Sequence, residues 1–197
     1  MIALSLLTIF LAAILTHNIA LTYLLGMCPF ISLSRSLRTA TGMGFAVIFV
    51  VTLTALINWP IYNLILVPTG STLIYYVVFI IVIAASVQLV EMIMERFFPV
   101  LQAAFGIFLP LITVNCTVLA VSLFMVIRKY NFVSTIVFAV GSAVGWTLAI
   151  VIVAAINEKL KLTGDIPKGM RGPGIIMVTA GILALAFLGF SGMVNVQ

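Results

Sequence analysis

The chain reads as long apolar runs separated by short polar stretches, and the interruptions fall at a spacing that lipid demands. Cutting it at its charges and turns leaves six stretches of roughly 20 residues or more, near residues 2–27, 40–57, 73–94, 100–126, 132–156 and 173–194. As helices rising about 1.5 Å per residue, such stretches cross a hydrocarbon core of about 30 Å. Two of the runs are too long for this. Residues 1–34 carry no charged side chain, and neither do residues 97–127; the first, as one straight helix, would extend to roughly 50 Å. Each overlong run also contains helix breakers, with Gly26 and Pro29 around Cys28, and Pro110, Asn115 and Thr117 around Cys116. Both are therefore expected to break and turn inside the membrane. Irregular backbone at that depth survives only when buried in protein, so the breaks should face a partner or an axis of the bundle.

Six spans divide into halves of three. Residues 39–58 aligned on 138–157 match at Ala40/Ala139, Gly42/Gly141, Ala55/Ala154, Ile57/Ile156 and Asn58/Asn157. Halves with an odd number of spans run in opposite directions, which is the inverted-repeat plan with functional sites on interrupted helices near the midplane. The expected architecture is an all-α integral membrane protein forming one membrane domain over residues 1–197. Its two inverted three-helix repeats, about 1–96 and 97–197, each begin with an interrupted helix, the first and the fourth.

Composition agrees: 64% of residues are hydrophobic and 7% charged, with mean hydropathy +1.40, against about 25% charged in soluble domains. The nine Lys and Arg residues lie in short clusters between apolar runs. They read as topology signals and not as a stripe for nucleic acid. Arg35, Arg38, Arg96, Lys159, Lys161, Lys168 and Arg171 follow spans one, three and five, whereas only Arg128 and Lys129 follow span four. The positive-inside bias then places both termini outside. No basic residue or small-residue cleavage site marks the first span as a signal peptide, so a retained helix is expected.

The two cysteines, both at membrane depth, do not resemble a secreted disulfide framework. If Pro29 opens a half-helix, Cys28 becomes its cap, and a thiol at a helix N-terminus is favoured as thiolate. Asn115 is placed to cap a corresponding break next to Cys116. Thiolates in a dry interior need compensation, for which a metal is the obvious source, yet structural zinc and iron-sulfur clusters take about four ligands. Two thiols are half of such a set, which calls for a second subunit. Against this stands the ordinary reading of buried cysteines as small apolar residues.

The segments LLGMCPF, AFGIFLPLITVNC, VQLVEMIMERFFPVL and AFLGFSGMV resemble the paired membrane subunits of the Rnf and Nqr respiratory complexes. The resemblance implies that Cys28 and Cys116 join two cysteines of a homologous six-helix subunit of opposite topology to hold a shared 2Fe-2S cluster. It implies a prokaryotic inner-membrane relay for electrons within a complex that moves Na+ or H+. Flavins would belong to other subunits, and no dinucleotide fingerprint appears in this chain. Within the family, CPF at 28–30, the connection from Trp59 to Glu91 and the FLGFSG ending favour the A-type subunit of Rnf. RFFP, RKYNF and VGWTLAI resemble the E-type subunit of Nqr instead. An inverted-repeat secondary transporter, with incidental cysteines, is the alternative outside redox chemistry.

Gln88, Glu91 and Glu95 share a helical face at the end of the third span. A carboxylate bordering the membrane is costly, and the resemblance links Glu91 to ion coupling; it stays open between that role and contact with interfacial water. Glu95 is read as reaching water or Arg96. His17, without a second imidazole or carboxylate nearby, is a poor metal ligand and reads as a helix contact, with Asn18 beside it. GMG at 42–44 and GSAVG at 141–145 should admit close helix packing. Trp59, Tyr62, Tyr75 and Tyr76 suit an interfacial belt, and residues 164–174 a polar turn open to soluble partners.

Overall fold

The computed structural model describes residues 2–34, 36–69, 74–97, 115–163 and 172–191, and every regular element among them is helical. They are α1 (Ile2–Ile14), α2 (Ile19–Thr22), α3 (Met27–Leu33), α4 (Leu37–Ile61), α5 (Val67–Thr69), α6 (Ile74–Phe97), α7 (Cys116–Ile127), α8 (Phe132–Thr163) and α9 (Pro173–Ser191). A π-helical turn, Tyr62–Leu66, joins α4 to α5. Three stretches are long and apolar enough to cross a membrane, Leu37–Leu66, Ile74–Ile93 and Phe132–Leu162. They contain or nearly contain the expected second, third and fifth spans. Cys116–Ile127 and Pro173–Gly189 are shorter apolar helices. The expected fourth span before Asn115, residues 100–114 with Pro110 among them, lies outside the described residues.

The expected first span is indeed interrupted, and twice: at Leu15–Asn18 and again at Tyr23–Gly26. Its surplus length is therefore absorbed at the two interruptions, while the chain advances along α8 from Gly141, beside Ala13, to Asn157, at Ser34.

The core is the antiparallel pair of α4 and α8. Met43, Val47, Val50 and Val51 of α4 and Ala143, Ile150 and Val153 of α8 are all buried in one cluster. Outward-facing positions are apolar too, such as Phe45 at 74% and Leu64 at 73% exposed, the pattern of a surface facing lipid or other membrane subunits. The small-residue segments do what their composition suggested. A β-carbon on Gly141 would lie 3.1 Å from the Ala13 Cβ and one on Gly145 3.1 Å from the Ile14 Cα, so α1 rests directly on α8. Gly44 meets Thr147, whose hydroxyl donates to the Gly44 carbonyl at 3.3 Å and to the Ala143 carbonyl at 2.8 Å.

A methyl on Gly44 would collide with the Thr147 Cγ2 and lie 3.1 Å from its Cβ. Gly44→Ala is accordingly expected to lower stability by about 1–3 kcal/mol, the usual cost of overpacking. Adding Thr147→Ala should return much of that loss, because neighbouring sites couple. Thermal unfolding of the two single variants and the double variant checks this; strictly additive costs would discard the contact as the cause.

The two asparagines matched between the halves are both buried, and they form a reciprocal tie. The Asn58 amide donates to Ser122 Oγ of α7 at 2.8 Å. The Asn157 amide donates to the carbonyl of Ser34, just after α3, at 3.1 Å. Each long helix thus holds a segment that carries one of the cysteines, α4 the helix that Cys116 opens and α8 the end of α3. At one end of the bundle the Leu37 N–H donates to Glu158 at 3.4 Å; at the other the Trp59 indole donates to the Tyr130 carbonyl at 3.2 Å.

Candidate functional site

The first interruption is organised by one side chain. Asn18 caps α2 by accepting from the Ala20 N–H at 3.1 Å. Its amide nitrogen donates to the Ile14 carbonyl at 3.1 Å and to the Gly145 carbonyl at 2.8 Å. It thus satisfies backbone groups on both sides of the break and fastens the break to α8. His17 is half-buried beside it, with its backbone N–H donating to the Ala12 carbonyl at 2.7 Å.

The second interruption sets up Cys28. Leu24 and Gly26 have φ of 53° and 78°, a left-handed pair that breaks the helix before α3. The cap of α3 is Gly26, not Cys28 as the position of Pro29 suggested. Met27 opens the helix, followed by Cys28 and Pro29. A proline in the first turn remains harmless, since those N–H groups have no intrahelical partner. With seven residues, α3 also carries less dipole than the half-helix inferred from the sequence. Cys116 sits as expected: Asn115 caps α7, accepting from the Thr117 N–H at 3.1 Å, and Cys116 is the first helical residue.

The two cysteine-bearing segments touch. The Thr117 hydroxyl donates to the Leu25 carbonyl at 3.4 Å. A β-carbon on Gly26 would overlap Thr117 Oγ1 and lie 2.7 Å from Asn115 Oδ1 and 2.9 Å from Trp146 Nε1. Only glycine combines this φ with this proximity. Beneath the seam lies Trp146, fully buried, in edge contact with Phe30 at 6.4 Å between ring centroids. Cys28 and Cys116 are both exposed and neither forms a disulfide. Among the described residues no group of three or more His, Cys, Asp or Glu side chains is placed to hold a metal ion. Glu91, half-buried on α6, is therefore not gathered with the two cysteines, and His17 joins no such group.

Two buried N–H donors, Asn115 Nδ2 and Trp146 Nε1, have no acceptor in the described structure. Unpaired donors in a dry interior create positive potential, as does the N-terminus of α7. Donors so placed suit an anionic group, such as metal-bound sulfur, at the seam. Trp146 escaped the sequence reading, although a tryptophan at the centre of a span, away from an interfacial belt, was a usable signal. The Glu95 side chain and nearly all of the 164–174 turn lie outside the described residues.

Asn115→Ala should lose the cap and cost about 0.5–2 kcal/mol, whereas Asn115→Asp keeps an acceptor at the same place and should recover most of it. Equal unfolding temperatures for wild type and Asn115→Ala would show that the cap is dispensable.

Residues 6–194 match the family model described as "Rnf-Nqr subunit, membrane protein". A Psychromonas ingrahamii protein described as the E subunit of Na(+)-translocating NADH-quinone reductase is 45% identical over 196 residues, spanning 94% of this chain and 96% of the relative. Relatives with the same description from Aeromonas salmonicida and Methylococcus capsulatus are 47% and 46% identical, over 95% and 94% of this chain and 97% and 96% of their own lengths. These relatives favour the Nqr reading over an A-type Rnf subunit.

Proposed function

The chain belongs to the Rnf-Nqr family of membrane subunits, and we propose that it serves as the E-type electron-relay subunit of a Na+-translocating NADH:quinone oxidoreductase. The observation that carries this reading is the seam at Gly26, where the segments bearing Cys28 and Cys116 meet and leave both thiols exposed. Two thiols supply half of the ligands a 2Fe-2S cluster takes. Their exposure suits completion by two cysteines of a homologous six-helix subunit of opposite topology. When bound, such a cluster supplies one-electron transfer at membrane depth.

The residues of this chain hold and shield. Cys28 and Cys116 are the ligands. Gly26 and Thr117 keep the starts of α3 and α7 in register, Asn115 and Asn18 close the helix ends, and Trp146 with Phe30 keeps water from the inner side. Around them we place six spans as two inverted repeats, with both termini outside a prokaryotic inner membrane. The flavins and the NADH site belong to other subunits of the complex. Sodium is the favoured coupling ion because the relatives are described as Na+-translocating.

The test is chemical analysis of the purified complex. Iron and labile sulfide beyond what the other subunits bind, together with a paramagnetic signal assignable to this pair of subunits, support the relay. A complex without that extra iron that still carries a solute would favour a secondary transporter instead. For ion coupling, Glu91→Gln is expected to keep the signal while reducing Na+ uptake per electron. Unchanged uptake at unchanged turnover would remove Glu91 from the mechanism.

A further inference from the structure

A second site lies at the end of the bundle away from Ser36 and Glu158. There α4, the π-helical turn after it and the α7–α8 turn enclose a cavity of about 270 Å3, lined by Trp59, Tyr62, Asn63, Lys129, Tyr130 and Asn131 among others. Several local features converge on it. Tyr62 and Asn63 belong to or border the π turn, a geometry enriched at functional sites, and the Asn63 amide donates to the Trp59 carbonyl at 3.1 Å. Lys129, with φ of 50°, is the left-handed residue that ends α7, and the turn is fixed by its N–H donating to the Val126 carbonyl at 3.2 Å and the Tyr130 N–H to the Met125 carbonyl at 3.1 Å. The indole of Trp59 holds the Tyr130 carbonyl, and Arg128 donates to the Tyr130 hydroxyl at 3.2 Å.

Among the described residues no carboxylate lines this cavity. Its polar equipment is an ammonium, two amides and phenol hydroxyls, with a guanidinium adjacent, a set suited to an anion with several acceptor oxygens. Beside it the surface is hydrocarbon: Ile127 is 65% exposed and Leu64 73%. A polar turn between two apolar helices belongs at the membrane–water boundary, where Trp and Tyr rings prefer to lie. A free anion would have no use for the apolar flank.

We propose that this cavity binds the headgroup phosphate of an anionic phospholipid, with Lys129 as its counter-charge and the acyl chains lying along Ile127 and Leu64. The purified complex, stripped of lipid by detergent exchange, should be titrated with phosphatidylglycerol and the bound lipid counted by native mass spectrometry. Lys129→Gln is expected to weaken retention about fivefold, in line with the usual contribution of one basic residue at a membrane surface. Lys129→Arg should retain the lipid and Asn63→Leu should weaken it. Because Lys129 and Asn63 are exposed, the unfolding temperature should change little. Unchanged retention in Lys129→Gln and Asn63→Leu would overturn the proposal. So would equal retention of phosphatidylcholine, or displacement of the lipid by millimolar inorganic phosphate, which would mark a site for the free anion.

Discussion

Cys28→Ser is expected to abolish the cluster signal of the assembled complex, and Cys116→Ser to do the same, each lowering electron transfer by more than about 100-fold. That figure is the upper end of what losing an outer-shell partner of a metal centre costs, and loss of a ligand should exceed it. A serine hydroxyl is a hard, weakly acidic ligand, whereas iron-sulfur centres are held by thiolates. The structure places both thiols at the surface, in the first turns of α3 and α7, which meet through Thr117 and Leu25, and the sequence holds no third cysteine to replace either. Neither variant should unfold the protein, because the side chains are exposed and Asn115 and Gly26, not the cysteines, cap the helices. The measurements are iron and sulfide content, the paramagnetic signal and NADH-driven quinone reduction. Full signal and turnover in both variants would leave the cysteines as ordinary apolar residues and end the relay reading.

Gly26→Ala should produce the largest effect of any change outside the two ligands. Left-handed backbone costs an alanine about 1–2 kcal/mol. Here the added methyl also meets Thr117 Oγ1, Asn115 Oδ1 at 2.7 Å and Trp146 Nε1 at 2.9 Å. Two of those three contacts are with the residues that flank Cys116, so relief of the clash must move one cysteine loop away from the other. The expected result is a lower unfolding temperature together with a lower yield of Cys28–Cys116 linkage by a short bifunctional thiol reagent. Gly181→Ala is the control. It lies in α9 with nothing within 4 Å of an added β-carbon and, as a helix-interior change, should be neutral or mildly stabilising. Equal linkage yields in wild type and Gly26→Ala would mean that the seam does not position the thiols.

Much of this architecture was legible because lipid imposes a simple rule on length. The apolar runs near 40–57, 73–94 and 132–156 became helices within α4, α6 and α8, and the surplus of residues 1–34 was correctly a sign of interruption. The position of the interruption was less legible. Pro29 pointed to a cap at Cys28, yet the break is made by Leu24 and Gly26, because φ is decided by what the segment packs against as well as by proline. Asn18 looked like a polar intrusion beside His17. Its function as a cap depends on the Gly145 carbonyl, 127 residues away, which no local pattern contains.

The sequence by itself determined that this is a helical membrane-family chain, that its first apolar run is too long for one straight helix, and that its two cysteines are too few to complete a four-ligand site alone. Those conclusions follow from transfer energies and ligand counts, which depend on residue type and short-range spacing. Only the tertiary structure decided that the Cys28 and Cys116 segments touch, that Gly26 is the residue permitting it and that Trp146 floors the seam. It also revealed the reciprocal ties from Asn58 to Ser122 and from Asn157 to Ser34. Such contacts join residues far apart in the chain through the packing of α4 on α8, and their geometry exists only once both helices are in place.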